Sequence, residues 1–184
     1  MGLDRESGCL SEIPFILSPN HDVRPENVRI DLLVIHGISL PPSDFGNPSY
    51  IVDFFTNRLD RTIHPYFESL QGVRVSAHLV IFRNGDLIQF VPFTQRAWHA
   101  GVSHFQGRSA CNDFSIGIEL QGTDDIPYTA AQYQALVSVT KAIQQAYPSI
   151  TSDRIVGHSD IAPGRKTDPG DSFDWRRFLA ELEP

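Results

Sequence analysis

His36 and His158 each directly follow a short, largely apolar run, residues 29–35 and 154–157. Runs of this kind read as buried strands, and strand ends set side chains at the rim of a sheet, where sites collect in α/β proteins. After His158 the chain continues Ser-Asp-Ile-Ala-Pro-Gly-Arg-Lys-Thr-Asp-Pro-Gly. Pro163-Gly164 and Pro169-Gly170 can turn this stretch back and bring Asp168 near His158. Two imidazoles and one carboxylate with an open fourth position form the donor set of a catalytic zinc site. Such a site lowers the pKa of bound water to roughly 7. The spacing matches no short zinc motif. The residues alone also fit a backbone-bonded loop histidine beside a turn-forming Asp-Pro-Gly.

Glu119 lies in the apolar run Ser115-Ile116-Gly117-Ile118-Glu119-Leu120-Gln121, where an acid is out of place. Alternation puts Ser115, Gly117, Glu119 and Gln121 on one face. That face is poor in bulk and leaves room for a substrate or a metal. A carboxyl there would have a raised pKa and could act as a base, unless it is a strand-edge acid facing water. Lys166, two residues before Asp168, points the same way in an extended loop and could stabilise an oxyanion, the alternative being a solvated lysine. Trp98 could line a pocket wall or pack on the core. Arg74 and Arg108 could grip a carboxylate by bidentate pairing, or be solvated surface residues. His78 reads as a half-buried packing residue and His99 as a loop residue, while His21, His64 and His104 fall in no constellation.

The elements that must position these residues follow from periodicity and punctuation. Strands are expected at 76–82 and 87–93, joined by a hairpin at Asn84-Gly85, and again at 114–120. Apolar residues at 51, 54 and 55 mark a short helix. The clearest helix spans 130–147, with Thr129 and Gln132 as a capping box and Pro148 as its stop. Trp175, Phe178, Leu179 and Leu182 mark a last amphipathic helix. The expected fold class is α/β of the α+β type, a mixed central sheet flanked by helices. The 184 residues predict one domain over 1–184, with 1–27 as an irregular surface arm.

Composition narrows the partners. Hydrophobic residues are 41% and the formal net charge is −7, so the chain is globular and repels phosphate backbones; nucleic acid is not an expected partner. No apolar run nears the roughly 20 residues of a membrane helix, so no membrane role is expected. Met1 to Ser7 carries mixed charge with no apolar segment behind it, so no signal peptide is expected. Two cysteines, Cys9 and Cys111, fit a reducing compartment, and a cytoplasmic location is expected. The oligomeric state is left open.

Five blocks carry a resemblance: His36-Gly37-Ile38-Ser39-Leu40-Pro41-Pro42, Arg74-Val75-Ser76-Ala77-His78, Arg96-Ala97-Trp98-His99-Ala100-Gly101, the stretch Cys111-Asn112-Asp113-Phe114 through Glu119, and Gly157-His158-Ser159-Asp160 through Asp168-Pro169-Gly170. In this order, across residues 27–175, the chain resembles the zinc amidases of cell-wall recycling, which are related to peptidoglycan recognition proteins. The resemblance implies a zinc ion at the floor of a groove. It also implies hydrolysis of the amide between (1,6-anhydro)-N-acetylmuramic acid and L-alanine of soluble muropeptides, the expected substrate. Carried over residue by residue, the family's zinc ligands match His36, His158 and Asp168. Its general base matches Glu119 and its transition-state lysine Lys166. Arg74 resembles a residue that holds stem-peptide carboxylates, and Trp98 one near the muramyl group. Gly37 stands where asparagine is expected. Ala110 stands where a second peptide-binding arginine is expected, with Arg108 as its candidate substitute. A recognition module that binds without cutting and an amidase for intact wall polymer are the two rival readings. The complete ligand set with Glu119 and Lys166 disfavours the first, and the missing signal segment disfavours the second.

Overall fold

The computed structural model describes residues 1–183. Its centre is a five-stranded sheet in the order Ile155–Gly157, Leu32–Ile38, Ser115–Gln121, Leu79–Ile81, Leu87–Gln89. The first three pairings are parallel and the last, the Asn84-Gly85 hairpin, is antiparallel. The sheet is therefore mixed, with flanking helices, as the alternation of strands and helices predicts.

The two long strands are buried on both faces, and the period of two sorts their side chains. Leu33, Ile35, Ile116, Ile118 and Leu120 join the core formed with Tyr133, Leu136, Val139 and Ile143 of the helix Ala130–Ala146 and with Phe178 of the helix Trp175–Leu182. On the opposite face Leu32 and Val34 pack with Ala100, Cys111, Phe114 and Ile161. His36 and Glu119 extend that second face, where the register sets them side by side on adjacent strands. The helix Ala130–Ala146 starts at the expected capping box, with Gln132 N–H donating to Thr129 Oγ1 (3.1 Å) and Thr129 N–H to Gln132 Oε1 (3.0 Å).

The structure departs from the sequence reading in four places. The first strand does not stop at His36: Gly37 and Ile38 stay in register with Leu120 and Gln121, so His36 lies inside the strand. The expected strands 76–82 and 87–93 shorten to Leu79–Ile81 and Leu87–Gln89. They shorten because the backbone N–H groups of Phe90 and Val91 both turn to the carbonyl of His78 and end the ladder. His78 is wholly buried rather than half-buried. The first 27 residues are not irregular throughout: Leu3–Asp4 pairs with Cys9–Leu10, and His21–Asp22 pairs with Arg96–Ala97.

Arg24 ties this segment to the domain. Its buried guanidinium donates to the carbonyls of Phe93 (3.3 and 3.1 Å), Asn112 (3.1 Å), Asp113 (2.9 Å) and Ser115 (2.8 Å). Burial pulls its pKa down to about 10, still well above neutrality, so the cation persists. An apolar replacement leaves those carbonyls unpaired. Arg24→Met is expected to lower stability by about 2–4 kcal/mol; urea denaturation that matches the parent within about 0.5 kcal/mol contradicts this role.

Candidate metal centre

Three elements converge on one point. His36 reaches it from the strand Leu32–Ile38. His158 opens the short helix His158–Ile161 directly after the strand Ile155–Gly157. Asp168 arrives on the returning loop, whose fold-back is pinned by Ser159 N–H donating to the Asp168 carbonyl (3.0 Å). Gly164 and Gly170, at φ +75° and +81°, make the turns, a region that only glycine enters without strain. His36 Nδ1 and His158 Nδ1 are 3.0 Å apart, and Asp168 Oδ2 lies 3.3 Å from the first and 3.1 Å from the second. These three form one possible metal-holding group among the described residues.

The donor set fits a metal ion. Ligand atoms bound to a tetrahedral zinc at about 2.0–2.1 Å lie about 3.3–3.4 Å apart, close to the spacing found here. Burial pulls His36 down to about 4, so its imidazole is neutral at neutral pH. Burial works to raise the Asp168 carboxyl, but the facing His158 and His36 imidazoles outweigh it and hold the group below the usual carboxylate range. One anionic oxygen and two imidazole nitrogens gathered this closely suit a cation at their centre.

Glu119 lies beside this group, across from His36 in the parallel register. Its Oε2 is shut off from solvent and has no hydrogen-bond partner. Burial, with the neighbouring Asp168 charge adding to it and Lys166 opposing it, raises the Glu119 pKa well above its ordinary value. His158 and Asp168 of this group and Glu119 line a groove of about 910 Å³, together with Lys166, Arg165 and the apolar Phe54, Tyr66, Leu70 and Val75. Two of the three candidate ligands and the polar pair Glu119 and Lys166 thus share one cavity, with His36 buried beneath it.

The other site candidates fall elsewhere. Arg74 lines a smaller cavity of about 180 Å³ that shares Phe54 and Val73 with the groove. Arg108 is engaged by Asp31 (3.0 and 2.8 Å) and lies over the Phe114 ring at 3.6 Å. Trp98 pairs with Ser76 through its backbone, and its indole Nε1 is enclosed without a partner. None of the three lines the groove.

Sequence reasoning passed over His99 and Asn112. His99 is buried against His36, its Nδ1 2.9 Å from His36 Nε2. Asn112 Oδ1 accepts the backbone N–H groups of His99 (3.1 Å) and Ala100 (2.8 Å). The available signal was Gly117: a Cβ there would lie 2.5 Å from the His99 ring, so the room on that face is taken by an imidazole rather than left for substrate.

With this geometry in view, the comparisons with known proteins place the chain. Residues 26–171 match the model of the N-acetylmuramoyl-L-alanine amidases, and the chain belongs to that family of hydrolases. Within it, the chain is 55% identical to the 1,6-anhydro-N-acetylmuramyl-L-alanine amidase AmpD of Haemophilus influenzae over 98% of this chain and 97% of that one. A crystal structure of an AmpD selenomethionine derivative superposes with a TM-score of 0.94 at 54% identity, covering 100% of both chains. AmiD of Escherichia coli, in complex with the substrate anhydro-N-acetylmuramic acid-L-Ala-D-γ-Glu-L-Lys, matches at a TM-score of 0.60 and 31% identity over 86% of this chain and 60% of that one. No helix of the described residues is long and apolar enough to cross a membrane.

The raised Glu119 pKa has a cost for folding. From its ordinary value of 4.5 upward, the unfolded chain releases the Glu119 proton while the folded, metal-free chain keeps it. The unfolded state then binds fewer protons, so stability falls as pH rises through that window. Glu119→Gln removes this penalty. The metal-free variant is expected to gain stability over the parent as pH rises from 4.5, and urea titrations across that range read the gain; a pH-independent difference would contradict the shift.

Proposed function

We propose that this chain hydrolyses the amide between 1,6-anhydro-N-acetylmuramic acid and L-alanine of soluble muropeptides, with zinc on His36, His158 and Asp168. The observation that carries the reading is the 3.0–3.3 Å convergence of two imidazole nitrogens and one carboxylate oxygen beside an enclosed, unpartnered glutamate oxygen. The anhydro-muropeptide seen with AmiD and the AmpD relatives support the choice of substrate. Free Cys9 and Cys111 support a reducing, cytoplasmic place of action on released fragments.

When bound there, zinc supplies Lewis acidity, which polarises an amide carbonyl and makes water acidic near neutral pH. Glu119 accepts a proton from the attacking water as the water oxygen adds to the lactyl carbonyl carbon. The same carboxyl returns that proton to the L-alanine nitrogen as the C–N bond breaks. Its raised pKa makes the carboxylate a stronger base than an ordinary glutamate, which suits it to take the water proton. Lys166 stabilises the negative charge that develops on the carbonyl oxygen. The products are the carboxylic acid of the anhydro sugar and a peptide with a free L-alanine amine.

In the substrate-binding part of this proposal, Arg74 is placed better than Arg108 to meet a stem-peptide carboxylate. Its cavity adjoins the groove at Phe54 and Val73, whereas the Arg108 guanidinium is spent on Asp31. Trp98 is tied by its backbone to Ser76, a groove residue, and does not itself line the groove.

Mass spectrometry of an anhydromuramyl-peptide digest tests the reading. A chelator is expected to abolish release of the L-alanine-led peptide, and zinc to restore it. Glu119→Gln is expected to keep zinc and lose about 10²–10⁴-fold in turnover. Lys166→Met should lose about 10²–10³-fold. Hydrolysis that survives chelation, or near-parental turnover in Glu119→Gln, sinks the mechanism; tight peptide binding without cleavage would make this a recognition module.

A further inference from the structure

We propose that His99 and Asn112 are positioning residues of the metal centre, which present the imidazoles of His36 and His158 in the one tautomer that aims a nitrogen lone pair at the metal. The inference rests on the metal-dependent reading above and adds to it the residues that make the ligands competent.

The assignment starts at Ser115. Its buried hydroxyl has one proton, and that proton goes to the Cys111 carbonyl at 2.6 Å. The contact of 3.1 Å between Ser115 Oγ and His99 Nε2 must therefore have His99 Nε2–H as donor. A neutral imidazole has one N–H, so His99 Nδ1 is an acceptor. It faces His36 Nε2 at 2.9 Å, which makes that nitrogen the protonated one. The His36 lone pair is then on Nδ1, directed at His158 and Asp168.

His158 reaches the same state by a second path. Its Nε2 lies 3.2 Å from the carbonyl of Ala100, an acceptor only, and 3.5 Å from Arg165 Nη2, which is already engaged by that carbonyl at 2.6 Å; the closer contact makes Nε2 the donor, and Nδ1 again presents its lone pair. That carbonyl also accepts from Arg165 Nη2 at 2.6 Å, which fixes its direction.

The two acceptors belong to consecutive residues, and one amide oxygen holds them both. Asn112 Oδ1 takes the backbone N–H of His99 and of Ala100 at 3.1 and 2.8 Å. Asn112 is itself fixed, its own carbonyl accepting from the buried Arg24 at 3.1 Å. Gly117 leaves the space for the His99 ring, and the His78 ring stands 5.6 Å behind it. An aromatic of similar size could fill this place, but only a side chain with an acceptor can take the His36 proton. Partners of this kind orient metal-bound histidines and raise their basicity, and losing one costs about 10–100-fold in metal affinity.

The test combines ¹⁵N spectra of the zinc-loaded protein with competition of zinc against a chromogenic chelator. In the parent, His36 and His158 are expected with the proton on Nε2 and Nδ1 unprotonated. In His99→Phe, the His36 Nε2–H should lose its hydrogen-bonded shift while that of His158 keeps it, and zinc affinity should fall about 10–100-fold. His99→Gln, which restores an acceptor oxygen, should recover most of that loss. Asn112→Ala should disturb both histidines together. A purely structural role would weaken zinc binding without changing one ligand's Nε2–H selectively. An Nδ1–H tautomer on His36 in the parent overturns the proposal, as does parental zinc affinity in His99→Phe. If His99→Phe does not fold, the parent spectrum and His99→Gln decide. A parent that binds no zinc would sink the metal reading and this proposal with it, whereas parental zinc affinity in His99→Phe sinks this proposal alone.

Discussion

Crowding two imidazole nitrogens and a carboxylate oxygen within 3.0–3.3 Å of one another, away from water, is costly unless a cation answers them. The rest of the molecule is arranged around that demand. The parallel pairing of Leu32–Ile38 with Ser115–Gln121 supplies a rigid floor and sets His36 beside Glu119. The strand Ile155–Gly157 delivers His158 from the other side of the same strand. The returning loop closes the group with Asp168. Because two of these residues come directly from a sheet buried on both faces, their positions are held by packing rather than by a mobile loop.

Polar groups are then buried in layers behind the centre, each answered by the next. His36 and His158 meet His99 and Ala100; these meet Asn112 and Ser115; and those meet the Arg24 guanidinium. His78 adds to the stack by accepting Gly117 N–H on Nδ1 and facing the Gln95 carbonyl with Nε2. A network of this depth is stabilising only when every member is satisfied. Glu119 lies outside this network: its Oε2 has no partner, and an enclosed acid left unanswered is stability given up at the groove.

The groove shows a division of labour consistent with a substrate that is part sugar and part peptide. Its lining combines the apolar Phe54, Tyr66, Leu70 and Val75 with Lys166, Arg165, Asp124 and Asp125 beside Glu119 and Asp168. Gly37 belongs to this economy. A Cβ there would come within 2.5 Å of the Tyr128 hydroxyl, which donates to the Pro169 carbonyl at 2.9 Å. The missing side chain next to His36 thus admits a tyrosine that steadies the loop carrying Asp168.

Much of this was legible in the residues. The apolar runs, the Asn-Gly hairpin, the capping box at Thr129 and the acid within an apolar strand are local signals, and local physics acts within a few residues. The sequence by itself determined the element types, the triad of His36, His158 and Asp168 as candidates, and Glu119 as an out-of-place carboxyl. It could not place His99, Asn112 or Arg24. His99 and Arg24 meet the strand Ser115–Gln121 from 16 and 91 residues away along the chain, and Asn112 meets Ala100 from 12, in contacts that no periodicity encodes. Likewise Arg108 and Arg74 look alike as isolated arginines, and only the fold spends one on Asp31 and sets the other beside the groove. Residue types state which chemistry is possible. Which polar group finds which partner is settled by the packing that brings them out of water together.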